Sequence, residues 1–254
     1  MKTGVTGALT VLGLGPGGPG TTTPEASAAL AAATDIVGYT TYTDRVAARP
    51  GQRIHTSDNR VEAERARHAL ALAAEGRQVA VVSSGDPGVF AMAAVVCEAV
   101  EAGPEVWSAI DLRILPGVTA MLAAAARAGA PLGHDFCAIN LSDNLKPAAL
   151  VERRLRLAAE ADFAMALYNP RSQARPEGFA RALNVLRQTC GDARPVIFAR
   201  AVTRPEESLR VVPLPEATPE MADMQTVVIV GSSSTRVVPR PRGPLVYTPR
   251  AVPA

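Results

Sequence analysis

Residues 79–92 read Val-Ala-Val-Val-Ser-Ser-Gly-Asp-Pro-Gly-Val-Phe-Ala-Met, and the reading of this stretch decides the fold. Residues 79–82 form a short, continuous apolar run rich in β-branched side chains, the pattern of a strand buried on both faces. Residues 83–88 are a turn, and the small-residue run from Val89 reads as a helix. Asp86 before Pro87 has the chemistry of a helix start, because Asp accepts from free N–H groups and Pro fits the first helical position. A buried parallel strand therefore delivers an acidic, glycine-flanked turn to the carboxyl edge of a sheet, where open α/β sheets bind ligands.

Working outward, the first half alternates strand and helix. Residues 9–14 form a first strand, followed by Gly13-Leu14-Gly15-Pro16-Gly17-Gly18-Pro19-Gly20. This string contains G-x-G-x-x-G, but Pro16 and Pro19 remove N–H groups that a phosphate cradle uses. The second strand, residues 36–39, ends in Gly38-Tyr39 where a dinucleotide site needs an acid for the ribose. The string reads as a rigid loop near a ligand, followed by a helix capped by Thr23. Residues 62–75 form a helix with Ala66, Ala69, Leu70 and Ala73 on its inner face, a solvated outer face of Glu and Arg, and Gly76 as its stop. Residues 111–115 make another strand, and Pro116-Gly117-Val118-Thr119 turns into a helix over 120–128.

The second half is organised differently. Strands over 136–141 and 163–168 flank an Arg-rich amphipathic helix over 148–161, and a further helix spans 178–190. Strands over 196–201 and 209–213 pair as a hairpin, so the second sheet is mixed. Residues 226–230 form the last buried strand. The expected layout is an N-terminal α/β domain over 8–118, a C-terminal α/β domain over 119–238, and an irregular Pro/Arg-rich tail over 239–254.

Composition narrows the function. The chain has 254 residues, a net charge of +2 and 48% hydrophobic residues, which argues against a nucleic-acid binder and against disorder. Cys97, Cys137 and Cys190 are widely spaced and read as small buried hydrophobes in a reducing compartment. His55, His68 and His134 are scattered, so no metal centre is expected. No apolar run reaches membrane-spanning length, no convincing signal peptide opens the chain, and a cytoplasmic location is expected.

Three strings in order, Gly13 to Gly17, Ser84-Gly85-Asp86-Pro87 and Pro116-Gly117-Val118-Thr119-Ala120, resemble the tetrapyrrole (corrin/porphyrin) methyltransferases. Gly133-His134-Asp135-Phe136, Leu141-Ser142-Asp143, residues 167–172 and residues 223–231 are similar to the branch that methylates carbon 17 of a corrin precursor with ring contraction. The resemblance implies two α/β domains, with S-adenosyl-L-methionine in the cleft between them and S-adenosyl-L-homocysteine as product. It implies a homodimer and a polyanionic tetrapyrrole substrate, with no nucleic acid and no membrane as partners. By the same resemblance Pro16, Ser84, Gly85, Asp86, Val89, Phe90, Thr119, Ala120, Tyr168, Asn169, Ala201, Val202 and Thr226 line the cofactor. Arg127, Arg171, Arg175, Arg200 and Arg204 are candidates for the substrate's carboxylate arms, since Arg binds carboxylates bidentately. Asp86, His134 and Asp143 are the candidate catalytic groups, with His134 as acid or base in the contraction and Asp135 or Asp143 orienting it. Two other readings remain open: a different methyltransferase on this scaffold, including one acting on a protein, and a non-catalytic nucleotide-binding module.

Overall fold

The computed structural model describes residues 7–58, 61–172 and 176–251. They fall into two compact units, divided between Thr119 and Ala120.

The first unit contains β1 (Ala8–Gly13), α1 (Pro24–Ala32), β2 (Asp35–Tyr39), the single turn α2 (Thr40–Thr43), β3 (Arg53–Ser57), α3 (Glu62–Ala74), β4 (Gln78–Ser83), α4 (Met92–Ala102), the single turn α5 (Glu105–Ser108) and β5 (Asp111–Leu115). Its sheet has the order β3-β2-β4-β1-β5, with every pairing parallel. Alternate residues of the same strands serve opposite faces, as the strand's period of two requires. Leu9, Val11, Val37, Val79 and Val81 pack with α3 and α4. Leu12, Ile36, Ala80 and Val82 pack with Ala26 of α1 on the other side. Burial on both faces is why the strands read as continuous apolar runs rather than alternating ones. Thr23 caps α1 as expected, its Oγ1 accepting from Ala26 N at 3.1 Å. Edge strand β3 was not legible, because Arg-Ile-His-Thr-Ser carries one strongly apolar residue.

At the amino end of β2 the side chain of Asp35 is wholly buried. It accepts from His55 Nε2 (2.9 Å), Thr34 Oγ1 (2.8 Å) and Arg77 NH1 (3.2 Å). Burial alone would raise its pKa, but these donors outweigh it and hold the carboxyl below its ordinary value.

The second unit contains α6 (Ala120–Ala128), β6 (Gly129–Ala130), β7 (Phe136–Asn140), α7 (Ala148–Glu160), β8 (Ala164–Tyr168), α8 (Gly178–Thr189), β9 (Pro195–Arg200), β10 (Ser208–Pro213), β11 (Thr226–Val230), β12 (Arg236–Val238) and β13 (Leu245–Tyr247). Its main sheet has the order β10-β9-β11-β8-β7, parallel only between β7 and β8. The expected hairpin is β9–β10. α7 and α8 cover one face and α6 covers the other.

The tail departs from expectation. β13 pairs antiparallel with β12 and parallel with β6, and Val246 is wholly buried in the cluster under α6. Four residues between Pro244 and Pro249 are too few to show a strand pattern, so only the apolar surface left open by α6 makes three of them a strand. Cys190 is buried as expected, whereas Cys97 is exposed. No described helix is long and apolar enough to cross a membrane.

Because the folded-state pKa of Asp35 is depressed, its contribution is present above about pH 3.9 and is lost as pH falls through the folded value. Urea unfolding followed from pH 7 down to pH 3 should show Asp35→Asn less stable than the parent at pH 7. The gap should narrow in acid.

Candidate functional site

In the first unit the loops leaving β1, β4 and β5 meet at the carboxyl edge of the sheet. Those three strands are neighbours there, so three turns emerge side by side. Gly15 and Gly85 exchange backbone hydrogen bonds, Gly85 N to Gly15 O at 3.0 Å and Gly15 N to Gly85 O at 3.2 Å. A Cβ on Gly13 would lie 2.3 Å from Gly85 O and 2.9 Å from the Cα of Gly117, and one on Gly117 would lie 2.2 Å from Gly85 O. No other residue permits this approach, because the obstacles are backbone atoms that cannot step aside.

Asp86 locks the junction. Its Oδ1 accepts from Gly88 N at 2.8 Å and its Oδ2 accepts from Gly117 N at 3.1 Å. The expected helix cap is corrected here: α4 begins at Met92, and Ala91 stands in the cap position. The carboxylate instead holds its own turn and reaches the loop after β5. The loop after β1 is fastened as well, with the carbonyls of Leu14 and Gly15 accepting from Arg45 at 2.8 and 3.1 Å and Thr22 Oγ1 donating to Leu14 O at 3.0 Å. Those bonds tie the loop to Arg45 and Thr22. Phe90 stands at φ +54° and is 46% exposed, an uncommon backbone for a bulky residue.

The second unit has its own cluster, at the end of the sheet where β7 and β8 finish. Register places Asn140 beside Tyr168, Val228 beside Leu167 and Thr226 beside Arg200, so these ends are neighbours. Tyr168 OH accepts from Met121 N at 3.0 Å, satisfying an orphan donor in the first turn of α6. Asn169, at φ +52°, donates to Asn140 Oδ1 at 3.1 Å, and that oxygen also accepts from Ser142 N at 2.9 Å. Ala201 and Thr203 sit at φ +48° and +71° in the turn after β9. Asp223 accepts from Thr226 Oγ1 (2.7 Å), Gln225 N (2.9 Å) and Arg200 Nε (2.8 Å). Burial pushes the Asp223 carboxyl up, but the bonds from Thr226 and Arg200 prevail and hold it low.

Of the non-glycine residues described with positive φ, Phe90, Asn169, Ala201 and Thr203 all fall in these turns, and Asp162 alone lies elsewhere. Backbone strain of this kind, at about 1–3 kcal/mol per residue, persists where the surrounding structure over-determines it, and it clusters at functional turns.

Comparison with known proteins then decides the family. The family described as Tetrapyrrole (Corrin/Porphyrin) Methylases matches residues 8–218. The chain belongs to that family. A precorrin-3B C(17)-methyltransferase of Sinorhizobium sp is 57% identical over 97% of each chain. A solved structure of the methyltransferase CobJ superposes with a TM-score of 0.92 at 63% identity, covering 96% of this chain and all of that one. The uroporphyrin-III C-methyltransferase of Thermus thermophilus, solved with S-adenosylhomocysteine, superposes with a TM-score of 0.66 over 89% of this chain and 97% of its own, at 21% identity, which shows a shared fold.

For a tetrapyrrole methylase the placement of the expected residues is informative. Pro16, Ser84, Gly85, Asp86, Val89 and Phe90 all lie on the first unit's joined turns. Tyr168, Asn169, Ala201, Val202 and Thr226 all lie at one end of the second unit's sheet, with Ala201, Val202 and Thr226 buried. Thr119 is buried at the end of the first unit, and Ala120 begins α6.

The candidate acids and bases fare differently. His134 precedes the amino end of β7, roughly 20 Å along the strand from Asn140, and its nearest acid, Asp135, is 3.8 Å away and largely exposed. Asp143 is ion-paired with Arg181 at 3.0 Å. Asp86 is committed to backbone, both of its oxygens accepting from amides. Among the arginines, Arg127 pairs with Glu207 at 2.9 Å and Arg200 with Asp223, while Arg175 lies outside the described residues. Asn140 escaped the sequence reading; a polar residue ending a half-buried strand was its only signal.

Replacing Asp86 by Ala removes two backbone-to-carboxylate bonds. Stability should fall by about 2 kcal/mol, and hydrogen exchange at the amides of Gly88 and Gly117 should accelerate together while α3 stays protected.

Proposed function

We infer that this chain is a precorrin-3B C(17)-methyltransferase. It transfers the methyl group of S-adenosyl-L-methionine to carbon 17 of precorrin-3B, with ring contraction to precorrin-4, in cobalamin biosynthesis. Identity of 57% across nearly the whole length of both chains carries this reading. A relative named for cobalt-factor III is 41% identical, so the metal-free substrate is favoured over the cobalt-bearing one.

The first unit's turns have the chemistry an adenosyl-bearing cofactor needs. They offer the exposed ring of Phe90, the apolar Val89, the Ser84 hydroxyl and backbone brought close by glycine, with no strong nucleophile among them. When bound, the cofactor supplies a sulfonium-activated methyl group that a carbon nucleophile displaces in one step. The chain's part in such a displacement is to position the reactants and exclude water. The Gly13–Gly85–Gly117 junction holds the loops that do this, and Asp86 acts as a positioning residue. The Tyr168–Asn169 turn, Ala201, Val202 and Thr226 are proposed to complete the cofactor's surroundings, by family resemblance. His134 and Asp143 receive no role in methyl transfer in this reading, because one precedes the amino end of β7, away from the Tyr168–Asn169 turn, and the other is ion-paired with Arg181.

A homodimer in the cytoplasm is part of the same proposal, and a monomer in sedimentation at micromolar concentration would remove the dimer.

Incubation with precorrin-3B and methyl-labelled cofactor, followed by mass analysis, should give labelled, ring-contracted product; unlabelled or uncontracted material would overturn the assignment. In the same assay His134→Ala should retain both methylation and contraction, whereas Asp86→Ala should bind S-adenosylhomocysteine at least tenfold more weakly.

A further inference from the structure

Arg65 contradicts the expected solvated outer face of α3. It is 4% exposed, and its nitrogens donate to Ser57 Oγ (2.8 Å), Met92 Sδ (3.3 Å) and the carbonyl of Asp58. All three acceptors are neutral. Among the described residues no carboxylate comes within ion-pair distance of it. Burial lowers its pKa, and Glu62 and Asp58 act on it only through space. A buried charge without a counter-charge is costly, and proteins ordinarily pair it.

The unpaired charge borders a cavity of about 280 Å³, lined by Val37, His55, Ser57, Glu64, Arg65 and His68 among others. Two of the three histidines that look scattered in sequence meet there, His68 Nε2 lying 3.0 Å from His55 Nδ1. The hydrogen bonds assign their tautomers. Asp35 is an acceptor, so His55 Nε2 donates to it. A neutral His55 then accepts at Nδ1 from His68 Nε2–H. The remaining nitrogen, Nδ1 of His68, is a lone pair when the ring is neutral and a donor when it is protonated.

We propose that this cavity binds a small oxyanion, a carboxylate or phosphate group, with Arg65 as its fixed counter-charge and protonated His68 as a second donor. The cavity holds several water volumes, enough for such a group and a short stem. The charged groups nearby are Asp35 and Arg77, which act through His55, Glu75 at 3.5 Å from Arg77, Glu64 one turn before His68 on α3, and Glu62 and Asp58, which act on Arg65 through space. Glu64 opposes an anion, so its neutralisation strengthens binding.

Titration calorimetry on the full chain tests this with two probes, sulfate as a tetrahedral dianion of constant charge and propionate as a carboxylate. Saturable binding of sulfate alone points to a phosphate ligand, and of propionate alone to a carboxylate; either supports the site. Loss of the His68 donor should weaken binding about tenfold, the worth of one hydrogen bond to a charged group, so His68→Ala should show that loss and Glu64→Gln should tighten binding. Arg65→Lys should weaken binding; should that variant fail to fold, the two exposed-residue variants decide alone. Binding of S-adenosylhomocysteine checks the fold of each variant and reads the methyltransferase assignment separately. No saturation by either probe, or an unchanged affinity in His68→Ala, overturns the proposal.

Discussion

Backbone contact among Gly13, Gly85 and Gly117 is the constraint on which the first unit's carboxyl edge depends. Three parallel strands side by side send out three turns at one end, and each turn has to leave room for the next. With a Cβ at Gly13 or Gly117 the gap to Gly85 O closes to 2.2–2.3 Å, which no rotamer change relieves. Glycine allows the approach but contributes no side chain to hold it. That second task falls to Asp86, whose two oxygens reach Gly88 and Gly117. An acidic residue that looks like a catalyst or a helix cap is, in the folded chain, a clasp between loops.

This division of labour suits methyl transfer. A displacement at a sulfonium carbon asks for alignment and dry surroundings more than for proton transfer. The polar groups near the turns are accordingly committed to structure: Asp86 to backbone, Asp143 to Arg181, Asp223 to Thr226 and Arg200. Strain is concentrated in the same places, at Phe90, Asn169, Ala201 and Thr203, where ordinary turns would have used glycine.

Charge is handled in two ways in the first unit. Asp35 is buried with three donors around it, so its desolvation is offset. Arg65, equally hidden, is surrounded by a hydroxyl, a thioether and a carbonyl, and the space beside it is open. The contrast lies in a few residues of β2, β3 and α3, around the His55–His68 cavity.

How much of this was legible in sequence follows from the range of the interactions involved. Apolar runs such as residues 79–82 and 226–230, the cap at Thr23 and the hairpin at residues 196–213 rest on local pattern, and the strands, most helices and the family's turns were read from them. The helix start after Asp86 was misplaced because the carboxylate's partner, Gly117, is 31 residues away, and a cap and a loop clasp look alike in one dimension. Strands β3 and β13 have too few apolar residues to announce themselves; neighbours with surface to bury make them strands. The meeting of His55 with His68 and the burial of Arg65 were likewise invisible: residue type placed Arg65 outside, although it stands one turn before the inner-face Ala69. Short-range periodicity and turn chemistry thus determined the fold class and the site's loops, while the pairing of charges and the ends of the strands were decided only when the sheet brought distant residues within hydrogen-bond reach.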